Sequence, residues 1–277
     1  MRFPGQLFAG VALTAFAACA IFSQSPPPPV FEVASIKPSD PLANGMSMGV
    51  RPGGLYNAKG VTVKSLIMSA YDVRPFQISG PPGWLDTNKY DIIAKANATG
   101  LAEDDPAKMT DDQRTQFREQ MQQRVRALLA DRFQLKLHKD TKELPVYVLL
   151  IAKSGAKIQE SADKTSPGRS LRMQRGEGGR TEMTGLTLPM ESLVKNLAGQ
   201  VGRNVVDQTG LKGKYDFKLT FAPDFGQPDS REDHAPAADA GPSIFTALQE
   251  QLGLKLDSQK GPVEVLVIDS VQKASEN

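Results

Sequence analysis

The segment KYDIIAKA (89–96) returns as KYDFKLTF (214–221), and that repetition decides how the chain is read. Lys-Tyr-Asp opens an alternating run each time. In the second copy Tyr215, Phe217, Leu219 and Phe221 fall on one side, and Asp216, Lys218 and Thr220 on the other. A period of two marks a strand with one face in a core. Tyr90 and Tyr215 therefore belong to the buried face, each hydroxyl reaching a rim or an acceptor. Asp91 and Asp216 point the opposite way, just after a turn, where a short carboxylate accepts backbone N–H groups and pins the chain.

Working outward, the spacing persists. Tyr90 and Tyr215 are 125 positions apart, as are Gly60 in NAKGVTVKSLI and Gly185 in EMTGLTLPMESLV, and Gly53-Gly54 and Gly178-Gly179. FQLKLHKDTKELPVYVLLI (133–151) then resembles LGLKLDSQKGPVEVLVI (252–268), with offsets of 119 at Leu135/Leu254 and 117 at Pro145/Pro262. Such periodicity predicts two copies of a unit of about 120 residues. The expected fold is α+β: two tandem lobes from an internal duplication, each of αββ units with small mixed or antiparallel sheets packed against helices. The first lobe covers 31–155, a linker and hairpin 156–180, and the second lobe 181–277, with a mobile loop at 224–241.

Helix signals fit this frame. Thr62 precedes an apolar stripe at Val63, Leu66, Ile67 and Ala70, and a threonine there can cap the first turn. Thr110 stands three residues before Gln113, a capping box, ahead of Phe117, Met121, Val125, Leu128 and Leu129. Met190, Leu193, Val194 and Leu197 repeat the helical spacing, and Ser243 caps a short fourth helix that Gly253 stops. Strands are expected at 31–36, 76–79, 90–96, 134–138, 146–151, 204–207, 215–221, 254–257 and 263–269, with hairpins at RPGG (51–54) and GEGG (176–179). Segments 97–109, 165–179 and 224–241 are polar and rich in Gly, Pro or charge, too poor in apolar residues for a core.

Residues 1–25 read as a targeting segment: Arg2, an apolar run from Leu7 to Phe22, and small residues near its end. Ala18-Cys19-Ala20 fits signal cleavage. Phe16-Ala17-Ala18-Cys19 also resembles a lipoprotein box with Cys19 as the lipidated residue, although Phe16 departs from its usual first position. A plain signal, an uncleaved anchor and a lipoprotein signal all place the rest outside the cytoplasm. Residues 26–30 form a proline-rich spacer.

Composition narrows the function classes. With 33 basic against 31 acidic residues the net charge is +2, which is no nucleic-acid footprint. Cys19 is the single cysteine, so the folded part holds neither a disulfide nor a thiolate ligand. An exported chain of this length can rely on its core, burying roughly 70% of its unfolded surface. His138 and His234 are the only histidines, and no HExxH or cysteine pair is written, so no metal site is expected. No G-x-S-x-G elbow, S-x-x-K set or Walker lysine occurs. GEGGR (176–180) lacks the strand-to-helix context of a phosphate cradle. Glu103, Asp104 and Asp105 sit in a polar segment that would hold them poorly for acid–base work. Arg114, Arg118, Arg124, Arg126 and Arg132 read as a solvated helix face. Trp84, the sole tryptophan, reads as a plug between sheet and helix.

FEVASIKP, GGLYNAKGVTVKSLIMSAYDV, ISGPPGWLDTNKYDIIAKA, NVVDQTGLKGKYDF and SIFTALQEQLGLKLDSQKGPVEVLVIDSVQKASEN occur in order from about Phe31 to Asn277. Together with ALLADRFQLKLHKDTKELPVYVLLIAKSGAKI they resemble the uncharacterised "soil-associated" secreted protein family. That family is similar to a domain of unknown function also found appended to antirepressor-type membrane metallopeptidases. The resemblance implies an exported module and supplies no activity or catalytic residues. This chain lacks the metallopeptidase motif and the multiple spans.

The sequence thus predicts a non-catalytic extracytoplasmic module, without a cofactor. It would bind an envelope protein, a peptide or a polymer fragment at sheet edges or in a groove between lobes. Nucleic acid is not an expected partner, and the membrane is met only through the N-terminal segment. The candidate site residues are Trp84, Tyr90, Asp91, Tyr215 and Asp216. The alternatives are a cell-envelope hydrolase using Asp91 and Asp216, and a scaffold lipoprotein held by Cys19.

Overall fold

The computed structural model describes residues 29–41, 45–51, 54–96, 109–162, 170–222 and 241–274. The expected targeting segment with Cys19, the acidic cluster at 103–105 and His234 lie outside the described residues.

Three four-stranded sheets and a few helices make a mixed α+β fold. The first sheet holds β1 (Phe31–Pro38), β2 (Ser47–Arg51), β3 (Leu55–Thr62) and β5 (Lys89–Ala96), in the order β1-β5-β3-β2. Another holds β7 (Gln159–Glu160), β8 (Ser170–Arg175), β9 (Thr181–Pro189) and β11 (Lys214–Phe221), in the order β7-β11-β9-β8. The two are wired alike, antiparallel throughout. In each, the third strand in chain order runs straight into a helix: α1 (Val63–Tyr71) after β3 and α4 (Met190–Val201) after β9.

A third sheet draws strands from both halves of the chain. β6 (Lys136–Ile151) and β12 (Leu254–Ser270) form a long antiparallel ribbon, from Leu254 opposite Ile151 to Ser270 opposite Lys136. β4 (Ile78–Ser79) runs parallel to β12, and β10 (Asn204–Asp207) parallel to β6. Each outer strand thus pairs with the ribbon strand from the opposite half of the chain. The expected pairs 134–138/146–151 and 254–257/263–269 are each one unbroken strand. Pro145 and Pro262 lie inside the ribbon without ending it, although proline usually ends pairing. Both stand at exposed positions on a ribbon that is open on one side there, where a missing donor costs little.

The helices begin where the caps predict. Thr62 Oγ1 accepts the Ser65 N–H at 3.1 Å. Thr110 and Gln113 close a capping box at 3.3 and 2.8 Å ahead of α3 (Asp111–Arg132). Ser243 Oγ accepts the Thr246 N–H ahead of α5 (Ile244–Ala247), which runs on through wider turns over Leu248–Leu252. A short α2 spans Trp84–Thr87, and a 3-10 turn, Pro75–Gln77, leads into β4.

Two cores result. One joins Tyr90, Ile92 and Ala94 of β5 to Leu66 and Ile67 of α1 and Val125 and Leu129 of α3. The other joins Tyr215, Phe217 and Leu219 of β11 to Leu193 and Leu197 of α4 and Leu248 and Leu252. Each fully buried side chain of this kind contributes about 1.5–3 kcal/mol. The ribbon crosses over here too. Leu266 and Ile268 of β12 enter the first core, and Tyr147 and Leu149 of β6 enter the second.

Strand register corrects the equivalence of the glycines. Tyr90 pairs with Val61 and Tyr215 with Leu188, so these partners differ by 127 positions. The counterpart of Gly60 is Thr187, and that of Gly185 is Ala58. A slip of two keeps every residue on its own face, so alternation alone cannot detect it.

Candidate functional site

Both Tyr-Asp pairs sit beside a bulge. Three steps along β3, from Ala58 to Val61, oppose two along β5, from Ile92 to Tyr90. Three steps along β9, from Gly185 to Leu188, oppose two along β11, from Phe217 to Tyr215. Each bulge contains a left-handed residue, Gly60 at φ 62° and Thr187 at φ 53°. Such a residue turns its N–H out of the ladder, and the aspartate collects it. Asp91 Oδ1 accepts from Gly60 N at 2.9 Å and from Ser39 Oγ at 2.6 Å. Asp216 Oδ1 accepts from Thr187 N at 2.6 Å. The Ser39 hydroxyl, then the Gly60 N–H and the nearby Lys37 and Lys59, hold the Asp91 carboxyl below the usual aspartate range.

The tyrosines are buried, Tyr90 edge-on to Phe133 with ring centroids 5.2 Å apart. Tyr215 Oη accepts from Gly213 N at 3.2 Å. Trp84 is half-buried against the first core, a rim plug. The two aspartates lie on separate sheets and are each engaged by their own bulge, so the fold does not join them in one cleft. His138 Nδ1 lies 2.8 Å from Asp269 Oδ1, exposed on the ribbon. Among the described residues no group of three or more His, Cys, Asp or Glu side chains could hold a metal ion, and no helix is long and apolar enough to cross a membrane.

Arg124, Arg126 and Arg132 of α3 depart from the expected solvated face, which exposed Arg118 keeps. Arg124 is 2% exposed. Arg126 Nε donates to Ala70 O at 2.8 Å, with its guanidinium over the Tyr71 ring. Arg132 Nη2 donates to Ala34 O at 3.0 Å. Arg126 and Arg132 are clasps to α1 and β1, reached by long stems that lie along apolar surface.

The structure adds a cleft that the sequence reading missed. The loop after α1 reaches across to α4 and β10, enclosing about 470 Å³, a volume within the range of ligand clefts. Phe76, Val194, Ala198 and Val205 give it an apolar floor. Asp72, Arg74, Glu191, Lys195 and Asp207 ring it with both signs of charge. Phe76 comes from the first half of the chain and packs on the second core. Arg74 Nη2 donates to Lys195 O at 3.1 Å, and Lys195 Nζ pairs with Asp72. β10 is the outermost strand of the third sheet. Gln208 N donates to Leu149 O, so by period two Val205 and Asp207 turn their peptide groups away from β6, on the open edge of the sheet. No local motif marks this site, because its walls are over 100 residues apart in sequence and only the crossed pairing of β4 and β10 joins them.

A second groove of about 470 Å³ lies between β1 and α3. There Arg132 already occupies the Ala34 carbonyl at the strand edge.

No curated protein and no solved structure matches the chain. The family model described as "Protein of unknown function (DUF3738)" matches residues 64–271, from α1 to the end of β12, and the chain belongs to that family.

Proposed function

We propose that the protein is a non-catalytic, extracytoplasmic binding module that takes a short extended peptide into the cleft between the loop at 72–77, α4 and β10. The observation that carries this reading is the meeting of an open strand edge with an apolar floor and a mixed-charge rim. Main-chain bonds to the outward peptide groups of Val205 and Asp207 supply affinity. Phe76 and Val194 receive an apolar side chain, and Arg74, Lys195, Asp72 and Glu191 select charge. The apolar run and small residues within 1–25 support export. Kinship with the soil-associated secreted proteins, and with the domain appended to antirepressor metallopeptidases, belongs to the same proposal.

The test is binding of a fluorescent extended-peptide library, with Lys195→Glu and Val194→Arg as cleft variants. Binding by the parent chain, lost in both variants and weakened by N-methylation of alternate peptide amides, is the expected result. Silence across the library, together with turnover on a hydrolase substrate panel, refutes it.

A further inference from the structure

The solvent face of the β1-β5-β3-β2 sheet is chemically one-sided. By the pleat, Val33, Ser35 and Lys37 of β1 share this face with Asp91, Ile93 and Lys95 of β5, since they are direct partners in the ladder. Lys59 of β3 and Arg51 of β2 lie on it as well. Lys89 precedes Asp91 by two residues on β5 and joins them. Five cations therefore face solvent beside two carboxylates, Asp91, which is engaged by Ser39 and Gly60, and Glu32, exposed in the bulge before Val33 at the sheet's edge. Amid the cations stand two large apolar side chains, Val33 at 65% exposure and Ile93 at 48%. Among the described residues no helix covers the face, because α1 and α3 pack on its other side with Ile92 and Ala94.

We propose that this face docks on an anionic lipid bilayer, a contact beyond any the N-terminal segment makes. Charge complementarity is the first ground. Lysine and arginine near an anionic headgroup layer are drawn to it, and apolar side chains among them insert at the boundary. Chain length is the second. The apolar run ends at Phe22 and β1 starts at Phe31, so eight residues join them, at most about 30 Å even when extended. A membrane-held N-terminus therefore keeps β1, the edge of this sheet, within reach of the headgroups. Soluble polyanions share the charge but offer nothing to Val33 and Ile93. The proposal rests on the export reading and is independent of the peptide cleft.

The test uses the full chain on vesicles of phosphatidylcholine alone and of an equal mixture with phosphatidylglycerol. Lysine acetylation is followed site by site by mass spectrometry. On the mixed vesicles Lys37, Lys59 and Lys95 should be acetylated about threefold more slowly, or slower still, than on neutral ones, while Lys139 and Lys212 keep their rates. Protection should fade as salt rises. The double variant Lys59→Glu/Lys95→Glu, its thermal melt compared with the parent's, should lose protection at Lys37. Lys195→Glu should keep it, which separates this face from the cleft. Equal rates on both vesicle types overturn the proposal. So does protection by dextran sulfate without protection by mixed vesicles, which would assign the face to a soluble polyanion.

Discussion

Asp91 reaches across 31 positions to hold the N–H of Gly60 at 2.9 Å, while a second hydrogen bond ties the same oxygen to Ser39. Removing the carboxylate strands a buried backbone donor at the bulge. Asp91→Ala should cost about 1–3 kcal/mol in urea melts at neutral pH. The pH dependence has a definite sign. The folded carboxyl titrates below its unfolded counterpart, which sits near about 3.9. Its contribution is thus complete above that value and disappears as pH falls through the folded one. Asp91→Asn should flatten the acid limb of the stability profile. An unchanged acid limb would show that the ionised form is not what the bulge requires.

Thr187 presents a sharper case, since a β-branched residue sits where glycine serves in the other sheet. Its Oγ1 lies 3.1 Å from the buried Ser161 Oγ. Thr187→Ala loses that bond and keeps the left-handed cost. Thr187→Gly loses the same bond but relieves about 1 kcal/mol of it. The glycine variant should therefore melt above the alanine variant. The reverse order would contradict the backbone assignment.

Tyr56 is 3% exposed, and its hydroxyl finds no hydrogen-bond partner among the described residues. Burial pushes its phenol well above the ordinary value. Tyr56→Phe should match or exceed the parent at neutral pH, since it removes an unpaired polar group. At high pH the unfolded phenol ionises near about 10 while the folded one resists, so the parent loses stability there and the phenylalanine variant is spared that loss. Parallel alkaline melts of the two proteins are the check.

At the cleft, two contacts on one helix should separate. Arg74 donates to the Lys195 carbonyl from the far half of the chain, and Arg74→Ala should cost about 1 kcal/mol. The Lys195–Asp72 pair is half exposed on both sides, so Lys195→Ala should cost well under about 1 kcal/mol. Thermal melts rank the two variants.

What the sequence made legible was local. Thr62, Thr110 and Ser243 announced helix starts because a cap is written within four residues. Tyr90 and Tyr215 announced buried strand faces because alternation needs only a short window. Gly60 was matched to the wrong partner because a two-residue slip leaves the facing pattern intact. Arg124, Arg126 and Arg132 looked solvent-facing because nothing in α3 itself says that Ala70 and Ala34 offer carbonyls nearby. The cleft was illegible for the same reason on a larger scale. Phe76 and Val194 meet only because β4 and β10 change sides along the ribbon.

That exchange also sets an order of events during synthesis. β6 is complete once residue 151 exists, yet one neighbour, β10, arrives at 204–207 and the other, β12, only at 254–270. The third sheet therefore cannot close before residue 270 has been made. Whatever keeps the exposed ribbon strand from pairing elsewhere must act while all the intervening residues are added.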